Sequence, residues 1–148
     1  MNYKEETIWL AAMLEGEGSF CRTGVHKERR VNNSVRVNFA STDKDIAEKV
    51  ARIMGVQCKK KLSLSRQHRM AKGDKMEYDA YATGENAVQV MRRVLLYMGQ
   101  RRTEKINELL TIAAQRVPRA VSLARGRQSR GYKLGPRSLA ALASFGAH

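Results

Sequence analysis

Four segments of the chain carry apolar residues at the three- and four-residue spacing that is typical of amphipathic helices. The first holds a tight apolar group: Ile8, Leu10, Ala11, Met13 and Leu14. Glycines favour the end of a helix, so Gly16 and Gly18 predict a first helix over about residues 5–17. We expect the second helix to be capped by Thr42 together with Asp45 and to stop at Gly55. Two further helices are expected over about residues 87–95 and 106–116.

Between these segments, apolar and polar residues alternate as they do in strands with one buried face. Val35, Val37 and Phe39 alternate with polar residues in the clearest strand, and residues 20–26 form a weaker one before it. Two more strands are expected over residues 61–65 and 78–83. The order αββαββαα predicts an α+β fold. In it, a four-stranded antiparallel sheet has helices on one face and leaves its other face open.

The open face and its connecting loops are expected to carry basic and hydrogen-bonding side chains. These are Lys27, Arg29, Arg30, Arg36, Asn38, Lys59, Lys61, Ser63, Ser65, Arg66, His68, Arg69, Asp79 and Tyr81. Such a surface can lie along a duplex groove, where strands read base edges and loop cations hold phosphates. The alternative is a solvated sheet face, because Lys and Arg also protect edge strands from pairing.

The charge of the chain favours a polyanionic partner such as nucleic acid over the weaker alternative of a membrane surface. It has 28 Lys and Arg residues against 14 Asp and Glu, a net charge of +14. No apolar run approaches the roughly 20 residues of a membrane span, and none resembles a signal peptide. We therefore expect a cytoplasmic or nucleoid-associated protein. The two cysteines form no CxxC pair, which argues against a zinc ribbon or a disulfide framework.

The basic residues are unevenly distributed, since residues 109–148 hold seven of them and no acidic residue. We expect an end to the core domain at residue 116 and a basic arm over residues 117–148, helical in part around residues 138–145. The arm is expected to follow the DNA backbone, which adds salt-dependent affinity without sequence information. Its candidate DNA-binding residues are Arg119, Arg125, Arg127, Arg130 and Lys133.

The nine residues LAAMLEGEG, from Leu10 to Gly18, resemble the signature of the LAGLIDADG homing endonucleases, and the flanking Trp9 and Phe20 extend the likeness. Ala12 stands where the signature usually has glycine, and a glutamate, Glu17, stands at its metal-binding position. Ala12 and Gly16 are small residues one helical turn apart, so a second helix can approach them closely. They are the candidate dimer-interface residues.

The resemblance, to the single-motif type of this family, implies an αββαββα fold with a saddle-shaped sheet and a homodimer formed through the first helix. It also implies intron homing, in which double-stranded DNA is hydrolysed at a long, near-palindromic site with Mg²⁺, for which Mn²⁺ can substitute. Glu17 would be catalytic and would bind the metal together with Gly16. Arg101, Arg102 and Ser41 match the remaining catalytic positions. No small-molecule substrate or membrane is implied.

Other interpretations of the same residues remain open. Arg101 and Arg102 can equally be a solvated helix start or form a structural salt bridge to Glu104 or Glu108, and the capping role of Thr42 accounts for the residues around Ser41. An RNA-binding maturase, which assists intron splicing, is one alternative function. A DNA-binding regulator without catalysis is the other.

Overall fold

The computed structural model describes residues 1–23, 34–61, 67, 71–115, 121, 124, 128, 130–131 and 133–146. The chain divides into two units, Met1–Ala114 and Gln115–His148. In the described ranges, no helix has both the length and the apolar character needed to cross a membrane.

Helices and strands follow one another in the first unit in the predicted order. They are α1 (Tyr3–Gly16), β1 (Gly18–Thr23), β2 (Ser34–Ser41), α2 (Lys44–Met54), β3 (Cys58–Lys60), β4 (Tyr78–Thr83), α3 (Gly84–Val94), a 3₁₀ turn (Leu95–Tyr97) and α4 (Gln100–Ala114). The second unit contains α5 (Pro136–Gly146), which covers the helix expected near residues 138–145. The α+β class and the αββαββα order are confirmed.

The four strands form one antiparallel sheet in the order β1-β2-β4-β3. Gly18 lies opposite Phe39, Phe39 opposite Ala80, and Ala80 opposite Cys58. Directly opposed residues share a face of a sheet, so this row runs across one side of all four strands. The central pair, β2 and β4, is distant in sequence, and β1 and β3 form the edges.

The buried face of the sheet is built from the alternating residues that the sequence indicates. Val35 and Val37 are fully buried in β2, and Phe39 is 1% exposed. Small residues of β4, Ala80 and Ala82, lie opposite them and leave room for the helices. The helices supply the other half of the core through Leu10, Leu14, Val50, Met91, Val94, Ile106 and Leu109. One hydrophobic core thus lies between the sheet and a single layer of helices.

Both ends of α1 are set by local chemistry. Asn2 and Glu5 form a capping box, in which Asn2 Oδ1 accepts from Glu5 N at 2.9 Å and Glu5 Oε2 accepts from Asn2 N at 2.8 Å. This box satisfies amide groups that a helix start leaves without partners, so α1 begins two residues before the expected start. Its last residue, Gly16, agrees closely with the predicted end.

The predicted cap of the second helix is wrong. Thr42 is exposed, the N-cap of α2 is Asp43, and no side chain caps this helix. Ser41 Oγ accepts a hydrogen bond from Asp43 N at 3.1 Å, which turns the chain from β2 into α2 instead. The other end is as predicted, because Gly55 adopts a left-handed conformation with φ 68° that favours glycine.

The third strand starts earlier in the sequence than expected. It covers Cys58–Lys60, and a backbone hydrogen bond from Lys61 N to Glu77 O at 2.9 Å continues its pairing with the chain before β4. Most of the predicted strand, residues 62–65, lies outside the described residues, as do residues 24–26 of the weak first strand. Among the described residues, pairing with β4 therefore begins at Cys58, three residues before the predicted start.

Candidate functional site

Glu17 lies at the junction between α1 and β1. It is the C-cap residue of α1, and its backbone N donates to Met13 O at 3.0 Å. Its side chain is exposed, and its carboxylate has no ion-pair partner in the part of the chain that the structure describes. The helix macrodipole places negative partial charge at this end, so the position favours a bound cation.

Gly18 makes the tight reversal from helix to strand possible. A Cβ atom at this position would lie 2.5 Å from Leu14 O and 2.7 Å from Leu14 Cα. Both atoms belong to the backbone of α1, so they cannot move aside as the end of a flexible side chain could. The final glycine of the motif is therefore a steric requirement that fixes where Glu17 is presented.

The end of α1 is bound directly to the start of α4. Glu15 Oε2 accepts a hydrogen bond from Gly99 N at 3.0 Å, and Glu15 O accepts one from Arg102 Nη2 at 3.2 Å. Gly99 O accepts from Thr103 N at 2.9 Å, so Gly99 stands at the first turn of α4, where negative charge is favoured. Glu15 consequently holds two helices together, and its backbone brings Arg102 to the motif.

The three residues expected to assist Glu17 occupy different settings. Arg102 is half-buried, its guanidinium carbon is 5.7 Å from the centroid of the Phe20 ring, and Arg101 is exposed on α4. Ser41 is at the carboxyl end of β2, two residues beyond the partner of Gly18. The antiparallel pairing places that end of β2 beside the start of β1, so Ser41 and Glu17 lie at the same end of the sheet.

The described part of the chain supplies few metal ligands at this end of the sheet. Among the described residues, no group of three or more His, Cys, Asp or Glu side chains could hold a metal ion. The donors that the motif would offer here are the Glu17 carboxylate and the Gly16 backbone carbonyl, and both are hard oxygen donors. Mg²⁺ is commonly bound by one or two carboxylates together with substrate phosphates and waters, so this donor set fits it better than a cage.

The open face of the sheet has the predicted alternation. Asn38 lies between Ser19 of β1 and Tyr81 of β4, and Lys59 of β3 lies opposite Asp79. These side chains are exposed or half-buried, and the residues between them in β2 are buried. The face therefore presents hydrogen-bonding groups from all four strands.

Charged groups on this face interact with one another. The guanidinium carbon of Arg36 is 4.0 Å from the centroid of the Tyr81 ring, and Lys59 Nζ is 5.6 Å from it. Lys61 Nζ is 3.3 Å from Glu77 Oε1 and 4.0 Å from an oxygen of Asp79. Partial burial raises the pKa of Asp79 above its usual range, an effect that Lys61 opposes.

Many of the residues expected to bind DNA do not lie on the described strands. The expected DNA-binding residues that lie outside the described part of the chain are Lys27, Arg29, Arg30, Ser63, Ser65, Arg66, His68, Arg69, Arg119, Arg125 and Arg127. Arg130 and Lys133 are exposed in the second unit. The described open face is thus formed by β-strand residues.

One stripe of α1 faces solvent. Ile8 is 44% exposed, and Ala12 and Gly16, which follow at four-residue intervals, are exposed too. A Cβ atom on Gly16 would meet no atom within 4 Å among the groups that the structure describes. The opposite side, with Leu10 and Leu14, is buried in the core. The helix therefore has a second face of apolar and small residues that the described chain leaves uncovered.

No protein-family model and no curated protein sequence matches this chain. Its structure is similar to two complexes of the homing endonuclease I-CvuI. One contains the I-CreI target with 2 mM Mg and DNA that is not cleaved, and the other contains the enzyme's own target with 2 mM Ca. The first is 17% identical with a TM-score of 0.56, the second 16% identical with a TM-score of 0.54. Each match covers 76% of this chain and 68% of the other.

The chain has the LAGLIDADG homing endonuclease fold. At this level of identity the likeness establishes the fold. The motif helix of that fold is α1, and the motif's last glycine is the close-packed Gly18.

Arg93 is a residue of this fold that the sequence did not single out. It lies in the last turn of α3 and donates to Thr7 Oγ1 at 2.8 Å, to Ile53 O at 3.1 Å and to Tyr3 O at 3.4 Å. It also lies 3.7 Å from a carboxylate oxygen of Glu6. In the sequence it is one of two adjacent arginines on an amphipathic helix, so no local signal separates it from Arg92.

Proposed function

We propose that this chain is a site-specific homing endonuclease that hydrolyses phosphodiester bonds of double-stranded DNA. It would act as a homodimer with Mg²⁺ on a long, near-palindromic site. The observation that carries the proposal is the exposed carboxylate of Glu17. The motif helix presents it at one end of a sheet whose open face carries hydrogen-bonding side chains. The two I-CvuI structures, which are complexes with DNA targets, support this choice of substrate.

The charge of the chain supports a duplex substrate. A net charge of +14 attracts the phosphate backbone, and this attraction is independent of sequence. The open face adds side chains of the kinds that read base edges: Arg36, Asn38, Lys59 and Tyr81. Backbone attraction and base readout together are what a site-specific nuclease requires.

We assign the chemistry of cleavage to the end of the sheet at which β1 starts and β2 finishes. Glu17 and the carbonyl of Gly16 would hold Mg²⁺, with Mn²⁺ as a substitute, against the scissile phosphate. When bound, the ion supplies charge stabilisation to the phosphate and lowers the pKa of a water molecule. Exposed Arg101 would bind a phosphate oxygen, and Arg102 keeps α4 against the motif helix. Ser41 would orient solvent at the same end of the sheet.

The exposed stripe of α1 supports the dimer. Ala12 and Gly16 would let the same helix of a second chain approach closely, and Ile8 would bury its apolar surface there. A two-fold axis at this helix pair would bring two copies of Glu17 together, one for each DNA strand. The same symmetry gives related half-sites, which is the origin of the near-palindromic target.

The catalytic assignment is tested with two isosteric variants of neighbouring carboxylates. A duplex is first selected from a randomised library in Ca²⁺, and its cleavage is then measured in Mg²⁺. Glu17→Gln should bind the selected duplex as the unaltered chain does but should cleave it at least about 100-fold more slowly, a loss of roughly 3 kcal/mol of transition-state stabilisation. Glu15→Gln should retain cleavage, since Glu15 is bound to Gly99.

Two results would contradict the proposal. If the unaltered chain does not cut its selected duplex, it is not this kind of nuclease. If Glu17→Gln cuts at the original rate, the metal is held elsewhere. Tighter binding to structured intron RNA than to the selected duplex, with no cleavage of either, would instead support the maturase alternative.

The dimer is tested by sedimentation velocity. Ala12→Arg places a charged side chain on the exposed stripe and should convert a species of twice the chain mass into one of the chain mass. Gln89→Arg, on an exposed position of α3, adds the same charge elsewhere and should leave the dimer intact. A chain that is monomeric without any substitution, both alone and on DNA, excludes the homodimer.

A further inference from the structure

Arg36 has an unusual setting on the open face of the sheet. It lies in the middle of β2, opposite Cys21 of β1 and Thr83 of β4, so it is flanked by strands on both sides. Its guanidinium is 4.0 Å from the centroid of the Tyr81 ring, which is within the range of a cation–π contact. An arginine side chain that is normally mobile is thereby held against a flat surface.

The contacts of Arg36 leave its two terminal nitrogens without an acceptor among the described residues. Among the described residues it has no carboxylate ion pair, and its Nε is buried without a hydrogen-bond partner. Neither opposed side chain, Cys21 or Thr83, carries the planar pair of acceptors that matches a guanidinium fork. A guanidinium above a ring can still direct its two terminal Nη groups past the ring, so acceptors for these groups can come from a ligand lying on the sheet, whereas the buried Nε is out of reach of such a ligand.

We infer that Arg36, oriented by Tyr81, is a specificity-determining residue that reads one guanine in each half-site of the DNA target. This inference rests on the proposed function and adds the base that this position selects. Guanine offers two acceptors, O6 and N7, on its major-groove edge, and the guanidinium fork matches both. Because stacking on Tyr81 restricts the side chain before binding, less conformational entropy is lost on contact.

The location of Arg36 favours a base over a phosphate. Phosphates border the groove, and loops or edge strands are the elements that reach them, whereas β2 is an inner strand of the sheet. Asp79 lies on the same face, close enough for Arg36 to lower its pKa, and its negative charge would oppose a phosphate there. A base edge is uncharged and carries no such penalty.

Tyr81 acts in this readout as a positioning residue. Lys59 Nζ also lies 5.6 Å from the centroid of the Tyr81 ring, so two cations are associated with one aromatic ring. Loss of the ring would leave the charge of Arg36 unchanged but would free its orientation. Base preference should therefore respond to the ring, whereas attraction to the DNA backbone should not.

The inference is tested by selecting bound duplexes from a randomised double-stranded library in Ca²⁺ and sequencing them. The unaltered chain should enrich guanine at one symmetric pair of positions. Arg36→Lys keeps the charge but loses the fork, so preference for guanine at that pair alone should fall by about 5-fold to 150-fold. Tyr81→Leu should reduce the same preference in part, and Tyr81→Phe, which keeps a ring, should retain it.

Arg52→Lys is the matched control, because Arg52 is an exposed arginine of the helix layer and its substitution should leave every position unchanged. If Arg36→Lys retains the full guanine preference, or weakens all positions equally, the inference is overturned while the proposed function stands. A lower melting temperature with an unchanged consensus has the same meaning, since it shows a structural role only. If the unaltered chain enriches no sequence at all, the proposed function fails, and the inference with it.

Discussion

Replacement of Arg93 by methionine should destabilise the first unit strongly although Arg93 is remote in sequence from the motif. Its side chain is 16% exposed and donates three hydrogen bonds to Thr7, Ile53 and Tyr3. Its guanidinium carbon also lies 4.1 Å from the centroid of the Tyr3 ring. These contacts join α1, α2 and α3, so one side chain holds the amino-terminal part of the motif helix in place.

The magnitude follows from counting the lost interactions. Three hydrogen bonds at about 1 kcal/mol net each give a loss of about 3 kcal/mol. The Glu6 contact, at 3.7 Å, adds little, because ion pairs near solvent are weak. Methionine retains much of the apolar stem of arginine, so loss of packing adds little. The expected decrease in the free energy of unfolding is therefore about 3 kcal/mol.

The assay is urea unfolding followed by the fluorescence of Trp9, the only tryptophan of the chain, which lies half-buried on α1. Arg52→Met is the control, since Arg52 also binds Glu6, at 2.9 Å, but its side chain is 62% exposed. Arg52→Met should lower the free energy of unfolding much less than Arg93→Met does, because an exposed ion pair contributes little. A decrease for Arg93→Met of the same size as this control would refute the reasoning, because the three hydrogen bonds that Arg93 donates would then contribute nothing measurable.

Two further predictions concern single positions. Gly18→Ala should destabilise the chain by about 2 kcal/mol or more, because its Cβ would overlap the backbone of Leu14, whereas Gly16→Ala in open space should be neutral or stabilising by up to about 1 kcal/mol. Equal effects of the two substitutions in thermal unfolding would contradict this steric argument. The raised pKa of Asp79, caused mainly by burial, means that its stabilising contribution is present below pH 3.8 and is lost as pH rises through the folded pKa. Asp79→Asn should therefore gain stability relative to the unaltered chain as pH rises from 3 to 7, and a difference that does not change with pH would contradict it.

Periodicity predicted the elements well where one face of an element is buried throughout. The alternation of Val35, Val37 and Phe39 set the orientation of β2, and with it the open face that carries Arg36. For β3, the described residues that pair with β4 are Cys58, Lys59 and Lys60, and these largely polar side chains show no apolar alternation, while the predicted residues 62–65 lie outside the described part of the chain. An edge strand that is selected by backbone pairing has no hydrophobic pattern by which it can be found.

The motif identified the helix and its acid, but it did not reveal how they are held. Glu15, the other glutamate of the motif, binds Gly99 and Arg102, which lie more than 80 positions away in the chain. The expected cap at Thr42 was wrong for a related reason. Several polar residues near a helix start satisfy the same local rule, and only the turn made by Ser41 and Asp43 decided between them.

The sequence by itself determined the class of the fold, the order of its elements, the position of Glu17 at a helix end and the charge that favours DNA. These properties depend on side-chain type and on spacing within one element, and both can be read along the chain. Only the tertiary structure decided the pairing of β4 with β2, the contact of Arg36 with Tyr81 and the junction of three helices at Arg93. Each of these joins residues that are far apart in sequence, and such contacts form only when the apolar faces of the helices and the sheet close on one core.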